Sequence, residues 1–309
     1  VTNEKKSTKQ EAWRAKAPRP ASTVVLVREG ASGLEVYLLK RSAKSGFFPG
    51  NYVFPGGAVD PQDRVLELWR DHLDLDRESI SQRFNSTLPT HEAIGYAVAA
   101  IRETFEEAGI FLGDKAGTPG RDMDRLCERR FTERLPKGWL NEWVTSRGWI
   151  LSLGRLARWA HWITPEAMRQ RFDTRFFVAF MPDAQECRPD RRETTHGIWV
   201  RPREGLEGNM RGEIPLSPPT LVTLDELLRY GEVHELERDV RRRPWGKARL
   251  PRLVRLERGV LILEPWDPMI DEDIQIDAGV LPSALLPVGE AFSRLWLHEG
   301  FWRPVQISP

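Results

Sequence analysis

The 309-residue chain sets 46 lysines and arginines against 45 aspartates and glutamates, a formal net charge of +1 that gives bulk electrostatics no hold on nucleic acid or membrane. Hydrophobic residues at 40% and charged residues at 29% describe a globular chain long enough to bury a full core. Cys127 and Cys187 form neither a disulfide framework nor a zinc pair, and no apolar run nears the ~18 residues of a membrane helix, so a cytoplasmic protein is expected.

Residues 1–20 are polar, lysine-rich and close on APRP; they predict a disordered tail without a signal-peptide core. TVVLVRE and LEVYLLKR, joined by GASG, alternate apolar and polar residues and predict a hairpin. SAKSGFFPGNYVFPGG follows as a loop dense in glycine, proline and aromatics, and residues 64–86 predict one or two short helices. A long helix is expected over 91–108, with Thr90 as N-cap and Gly109 in the left-handed C-cap position. Residues 120–150 read as helical and irregular, and RWAHWI, FDTRFFVAFM and HGIWVRP as strands. SPPTLVTLDELLRYG predicts a helix with Ser217 as N-cap, Pro218 at its first position and Gly231 past its end. Beyond it, LVRLE, GVLILEP, IQID and FWRPVQI predict a β-rich extension over 231–309, packed on the main domain.

The stretch RETFEEAGI carries the chemistry. At ~100° per residue, Glu103, Glu106 and Glu107 share one face of the helix, while Ile94, Val98, Ile101, Phe105 and Ala108 share another. Like charges so placed repel. A solvated acidic face is one reading. The other is a ligand set for a hard cation such as Mg²⁺, which binds carboxylate oxygens and pairs with substrate phosphates. The adjacent Gly56 and Gly57 of the upstream loop would let backbone approach a ligand closely.

These residues resemble the Nudix hydrolase signature G-x5-E-x7-R-E-U-x-E-E-x-G-U, where U is aliphatic. Arg102, Glu103, Glu106, Glu107, Gly109 and Ile110 match its second half, with Thr104 in the first U position. Gly57 matches the opening glycine, and Asp63 stands where the signature has glutamate. Gly57 and Arg102 are 45 positions apart where the signature has 14, so about 31 residues are inserted. That interruption is similar to a split-box branch of the family that cleaves coenzyme A. LLKRSAKSGFFPGNYVFPGG also resembles the stretch before the box in such members, although Gly46 stands where many have arginine.

The resemblance implies an α/β fold with a mixed sheet between helices over 21–230, a helical insertion at 64–90, and metal-dependent hydrolysis of a diphosphate bond. Coenzyme A or acyl-coenzyme A is the expected substrate, giving two monophosphates. ADP-ribose, a dinucleotide or another nucleoside-diphosphate derivative would use the same chemistry, and a non-catalytic nucleotide-binding module is the reading from another class. Glu103, Glu106 and Glu107 would hold Mg²⁺ or Mn²⁺. Arg102 would fix helix and loop through a carboxylate partner, Asp63 or Glu92. Glu193 is the candidate general base on a loop, with Glu186 second and His196 nearby as a possible substrate contact. Arg41, Phe54, Gly56, Gly57 and Arg175 are the expected substrate-binding residues, and Phe47 and Phe48 are further stacking candidates. The basic run RDVRRRPWGKARLPRLVRLER reads as a solvated or interface face rather than a nucleic-acid site. A homodimer is an expectation from relatives.

Overall fold

The structure is a computed structural model that describes residues 16–84, 88–115, 120–256, 259–272 and 284–306. Strands β1 (Arg19–Gly30) and β2 (Gly33–Arg41) form the hairpin that the alternation predicts. β1 starts at Arg19, inside the stretch read as tail. The glycine-rich loop contains β3 (Tyr52–Val53) and β4 (Gly56–Ala58). A 3-10 turn (Pro61–Arg64) leads into α1 (Leu66–Trp69) and α2 (Arg77–Phe84), and then comes α3 (Thr90–Ala108). A small pair, β5 (Gly113–Asp114) and β6 (Ile150–Leu151), brackets α4 (Gly120–Thr132) and α5 (Trp139–Arg147). Strands β7 (Ala157–Ile163), β8 (Phe172–Phe180) and β9 (Thr194–Val200) precede α6 (Pro202–Met210), α7 (Pro218–Leu227) and α8 (Val233–Val240).

β1 is the axis of a seven-stranded mixed sheet. It runs parallel to β8, whose other neighbour is the antiparallel β7. On its other side β1 changes partner, pairing with β4 through Ala21–Thr23 and with β2 through Val27–Gly30. The sheet therefore forks between β4 and β2. Side chains of β1 alternate between two cores as the strand period requires. Val24 and Leu26 pack with α3 and the inserted helices, Val25 and Val27 with α6, α7 and α8.

α3 is not a surface helix. Besides the predicted stripe, Tyr96, Ala99, Arg102, Thr104 and Glu107 are buried, because the inserted α2 and the segment carrying α4 and α5 cover its outer side. Its C-terminus closes as expected, with Gly109 left-handed at φ 78° and its N–H bonded to the Phe105 carbonyl. The helix begins at Thr90 itself, and Pro89 occupies the N-cap. α7 starts after Ser217 but stops at Leu227, short of Gly231. The Gly231 N–H goes instead to Glu235 Oε2 (2.8 Å) in the first turn of α8.

The extension opens with a helix, α8, where β-like runs are expected. Its sheet then follows: β10 (Arg252–Leu256), β11 (Gly259–Leu263), the short β12 (Ala284–Leu285), β13 (Arg294–His298) and β14 (Phe301–Gln306). β13, the strand of RLWLH, is missed by the sequence reading, and IQID lies outside the described residues. Ile262, Leu295 and Trp302 share the second core with β1, β2 and α7.

Within the basic run between α8 and β10, Arg243 and Arg249 turn inward as a clamp, while Arg241, Arg242 and Lys247 are exposed as the solvated reading expects. The Arg243 guanidinium lies 3.9 Å from the Trp159 ring centroid and donates to the Trp159 carbonyl (3.1 Å). Arg249 donates to Glu226 (2.6 Å) beside the Trp162 ring. Between them Trp245 is buried against Phe177 and donates its indole N–H to the Phe84 carbonyl (2.8 Å). Cation–aromatic contact and a buried ring outweigh the solvation of these arginine stems.

Trp245→Ala should lower the unfolding free energy by about 3–5 kcal/mol, the scale of removing a buried aromatic. Trp266→Ala, at a position 45% exposed, should cost far less. Urea unfolding of the two variants against the parent chain measures the difference.

Candidate active site

The fork in the sheet is where the chemistry-bearing residues meet. α3 crosses it so that its last two turns lie against β4. Glu107 Oε2 accepts the Gly56 N–H (2.9 Å). Glu103 packs its carboxyl group on the bare Cα of Gly57, where any Cβ would collide with it. Glycine is needed at position 57 for this close approach.

Arg102 joins the helix to the loop from behind. Its Nη2 donates to Asp63 Oδ2 (2.9 Å) and to the Ala58 carbonyl (2.8 Å), and its Nη1 donates to Glu103 Oε1 (2.7 Å). Asp63 Oδ2 also accepts the Asp60 N–H (2.8 Å), which closes the 3-10 turn. Of the two carboxylates considered for Arg102, Asp63 is the partner; Glu92 pairs with Arg64 (3.1 Å). Glu106 is held from another side by the Trp139 indole N–H (2.5 Å) at the start of α5.

Burial and crowding set the electrostatics. Glu103 is pushed up to about 7, first by desolvation, with Arg102 pulling against it and Glu106 and Glu193 adding to the rise. Glu107 is raised well above the carboxylate range by desolvation and then by Glu103, opposed by Arg41 and the Gly56 N–H. Glu106 and Asp63 are also raised, both chiefly by burial. Arg102 is held more firmly protonated by Glu103 and Asp63, against the desolvation that opposes it.

Each carboxylate faces a protein donor, and among the described residues no three acidic, histidine or cysteine groups form a ready coordination set. The donors still fit a hard divalent cation in kind. They are carboxylate oxygens only, and they are buried close enough together to resist ionising without a counter-charge.

Glu103, Glu106 and Glu107 line a cavity of about 1020 Å³ together with Arg41, Phe54 and Glu193. That is the upper end of the ~300–1,000 Å³ of small-molecule sites. Gly56 and Gly57 also lie on its wall. Glu193 comes from the loop before β9, whose Asp190 accepts the Glu193 and Thr194 N–H groups (3.1 and 2.9 Å). Its side chain is exposed and 3.5 Å from Arg134. Arg41 donates to Ser45 Oγ (2.9 Å).

Not every expected residue arrives. Arg175 is off the cavity: it alternates with Thr174 and Phe176, which line it, and so points to the opposite face of β8, over Tyr96 and Trp245. Glu186 pairs with Arg188 on a different groove, and His196 is exposed on β9, outside the cavity lining. Phe47 and Phe48 reach the cavity but pack edge-on to each other (4.4 Å), with Phe47 also against Phe172 (5.3 Å).

The segment between α4 and α5 supplies what the sequence reading missed. Arg134, Lys137 and Trp139 line the cavity, and Arg130 ties the segment to α3 through the Glu106 carbonyl (2.9 Å). No motif marks them. The long-range bonds from Trp139 and Arg130 to Glu106 reveal their place.

Known proteins resemble the chain in sequence and in fold. Residues 10–227 match the family model described as the NUDT19 Nudix domain. A protein named acyl-coenzyme A diphosphatase NUDT19 from Xenopus laevis is 29% identical over 283 residues, covering 80% of this chain and 74% of its own. The Homo sapiens protein of that name is 27% identical over 278 residues, covering 79% and 74%. The crystal structure of a NUDIX hydrolase from Alicyclobacillus acidocaldarius aligns with a TM-score of 0.57 at 26% identity, over 75% of this chain and 99% of that one.

A pH dependence follows from the raised carboxyls. With Glu103 near 7 in the folded chain and 4.5 as the ordinary value, the folded state binds more protons between those limits. Stability of the cation-free protein should therefore fall as pH rises from about 4.5 to 7. A divalent cation should restore it, most at pH 7.5 and least at pH 5, in thermal melts with chelator or added cation.

Proposed function

The chain belongs to the NUDT19 Nudix domain family of Nudix hydrolases, and from that membership we propose that it hydrolyses the diphosphate bond of coenzyme A or acyl-coenzyme A with Mg²⁺ or Mn²⁺. The observation that carries the reading is the burial of Glu103 and Glu107 against Gly56 and Gly57, beside a cavity large enough for such a substrate.

Glu103, Glu106 and Glu107 would hold the divalent ion. Bound there, the ion would offset charge on the diphosphate and acidify water. Arg102 acts as a positioning residue. Its bonds to Asp63, Ala58 and Glu103 keep α3 and the glycine loop in one geometry, so the glutamates cannot drift apart. Arg41, Arg134 and Lys137 present cations to the phosphate oxygens from around the cavity. Glu193 is the acid best placed to take a proton from attacking water, being solvated, close enough to raise Glu103 and Glu107, and held by a backbone anchored on Asp190. Water adds across one P–O bond of the anhydride, and two monophosphates leave.

Glu107→Gln should lower kcat on coenzyme A at least ~100-fold while the fold persists. Glu193→Gln should cost ~10²–10⁴-fold in kcat, the range of a general base. Release of adenosine 3′,5′-bisphosphate with Mg²⁺ present measures both. An unchanged rate in Glu107→Gln sinks the metal reading, and one in Glu193→Gln moves the base elsewhere. Gly57→Ala should also cost activity, because its Cβ displaces Glu103.

A further inference from the structure

The floor of the cavity is a row of residues crossing the sheet. Ala58 on β4 faces Ala21 on β1, Ala21 faces Thr174 on β8, and Thr174 faces Trp162 on β7. Beyond the sheet edge, Trp162 is bridged to Arg249. From β4 to β7 is three strand spacings, about 14 Å at ~4.8 Å each. At the far end the wall is completed by Pro251 and Ile262, both from the C-terminal extension. Ile262 is fixed there because it is buried in the same core as Leu295 and Trp302.

Charge is segregated along this floor. Arg41, Arg134, Lys137 and Arg192 line the cavity with the glutamates. Further across, β7 and β8 turn their ionisable side chains away: Arg175 lies over Tyr96, and His161 bonds Asp173 (2.7 Å) on the opposite face. Thr174, Phe176 and Trp162 are left on the cavity side, with Arg19 at the rim by the Phe172 ring.

In coenzyme A, thirteen bonds of the pantetheine arm separate a diphosphate phosphorus from the sulfur. Extended, they span roughly 15 Å at ~3.5 Å per three bonds. That is close to the distance from the glycine loop to β7. We propose that the arm lies along this floor and that the acyl group ends against Trp162, Pro251 and Ile262, so that the C-terminal extension sets acyl-chain selectivity. The anionic nucleotide half then takes the opposite direction, among the cations. The proposal rests on the coenzyme A diphosphatase reading of the same site.

The test is kcat/KM for coenzyme A and for its acetyl, octanoyl and lauroyl thioesters, measured on the parent chain, Ile262→Trp and Ile262→Ala. In the parent, values should rise with chain length through KM, by up to about fourfold per methylene that finds cover. Ile262→Trp should lower the lauroyl-to-free-coenzyme A ratio at least tenfold. Ile262→Ala should move the optimum to a longer chain, and it carries the test where the tryptophan variant does not melt cooperatively. A flat profile in the parent, or one profile shared by all three proteins, overturns the acyl assignment and leaves the diphosphatase reading standing. Failure on every coenzyme A species, with hydrolysis of ADP-ribose instead, overturns both.

Discussion

One buried guanidinium holds the site together. Arg102 is 6% exposed and bonds to the turn at Asp63, the strand at Ala58 and its own neighbour Glu103. Taking such a cation out of water is costly unless its donors are met with matched acceptors. Here the fork geometry of arginine reaches three acceptors in different directions, which a lysine ammonium on its flexible stem could not orient in the same way. The helix, the turn and the glycine loop are thereby locked into one unit, although Asp63 and Arg102 lie 39 positions apart in the chain.

What Arg102 does not cancel is the repulsion among the glutamates. Glu107 receives the Gly56 N–H and the fields of Arg41 and Arg130, and it stays raised well above the carboxylate range. A divalent cation bound there would take the place of that proton, which would be released to solvent. The fork in the sheet makes room for this arrangement. Because β1 exchanges β2 for β4 halfway along, the glycine loop can stand beside the acidic turns of α3 without blocking the cavity.

The remaining walls come from elements far along the chain. Trp139 reaches back to Glu106 from the α4–α5 segment, and Pro251 and Ile262 arrive from the extension. The extension is held to the main domain by a shared apolar core and by Arg243 and Arg249 on tryptophan faces. Those two arginines are directed inward, at rings and part-buried acceptors, while Arg241, Arg242, Lys247 and Arg255 stay at the surface.

Local pattern was sufficient for much of this. The β1–β2 hairpin, the capping of α3 at Gly109 and the facing of three glutamates along one helix follow from strand and helix periods, which are properties of consecutive residues. The glycine-to-glutamate relation was legible only because its motif survives an insertion. Periodicity could not say that α3 is covered on both sides, since the covering helices are separate stretches whose burial depends on where they dock. Nor could it choose Asp63 over Glu92 for Arg102, or turn Arg175 away from the cavity while Thr174 faces it, because strand parity acquires a direction only once the sheet has a floor. Arg134, Lys137, Trp139 and Ile262 carry no local mark at all. Their place is decided by tertiary packing, which brings together residues whose separation along the chain no short-range pattern encodes.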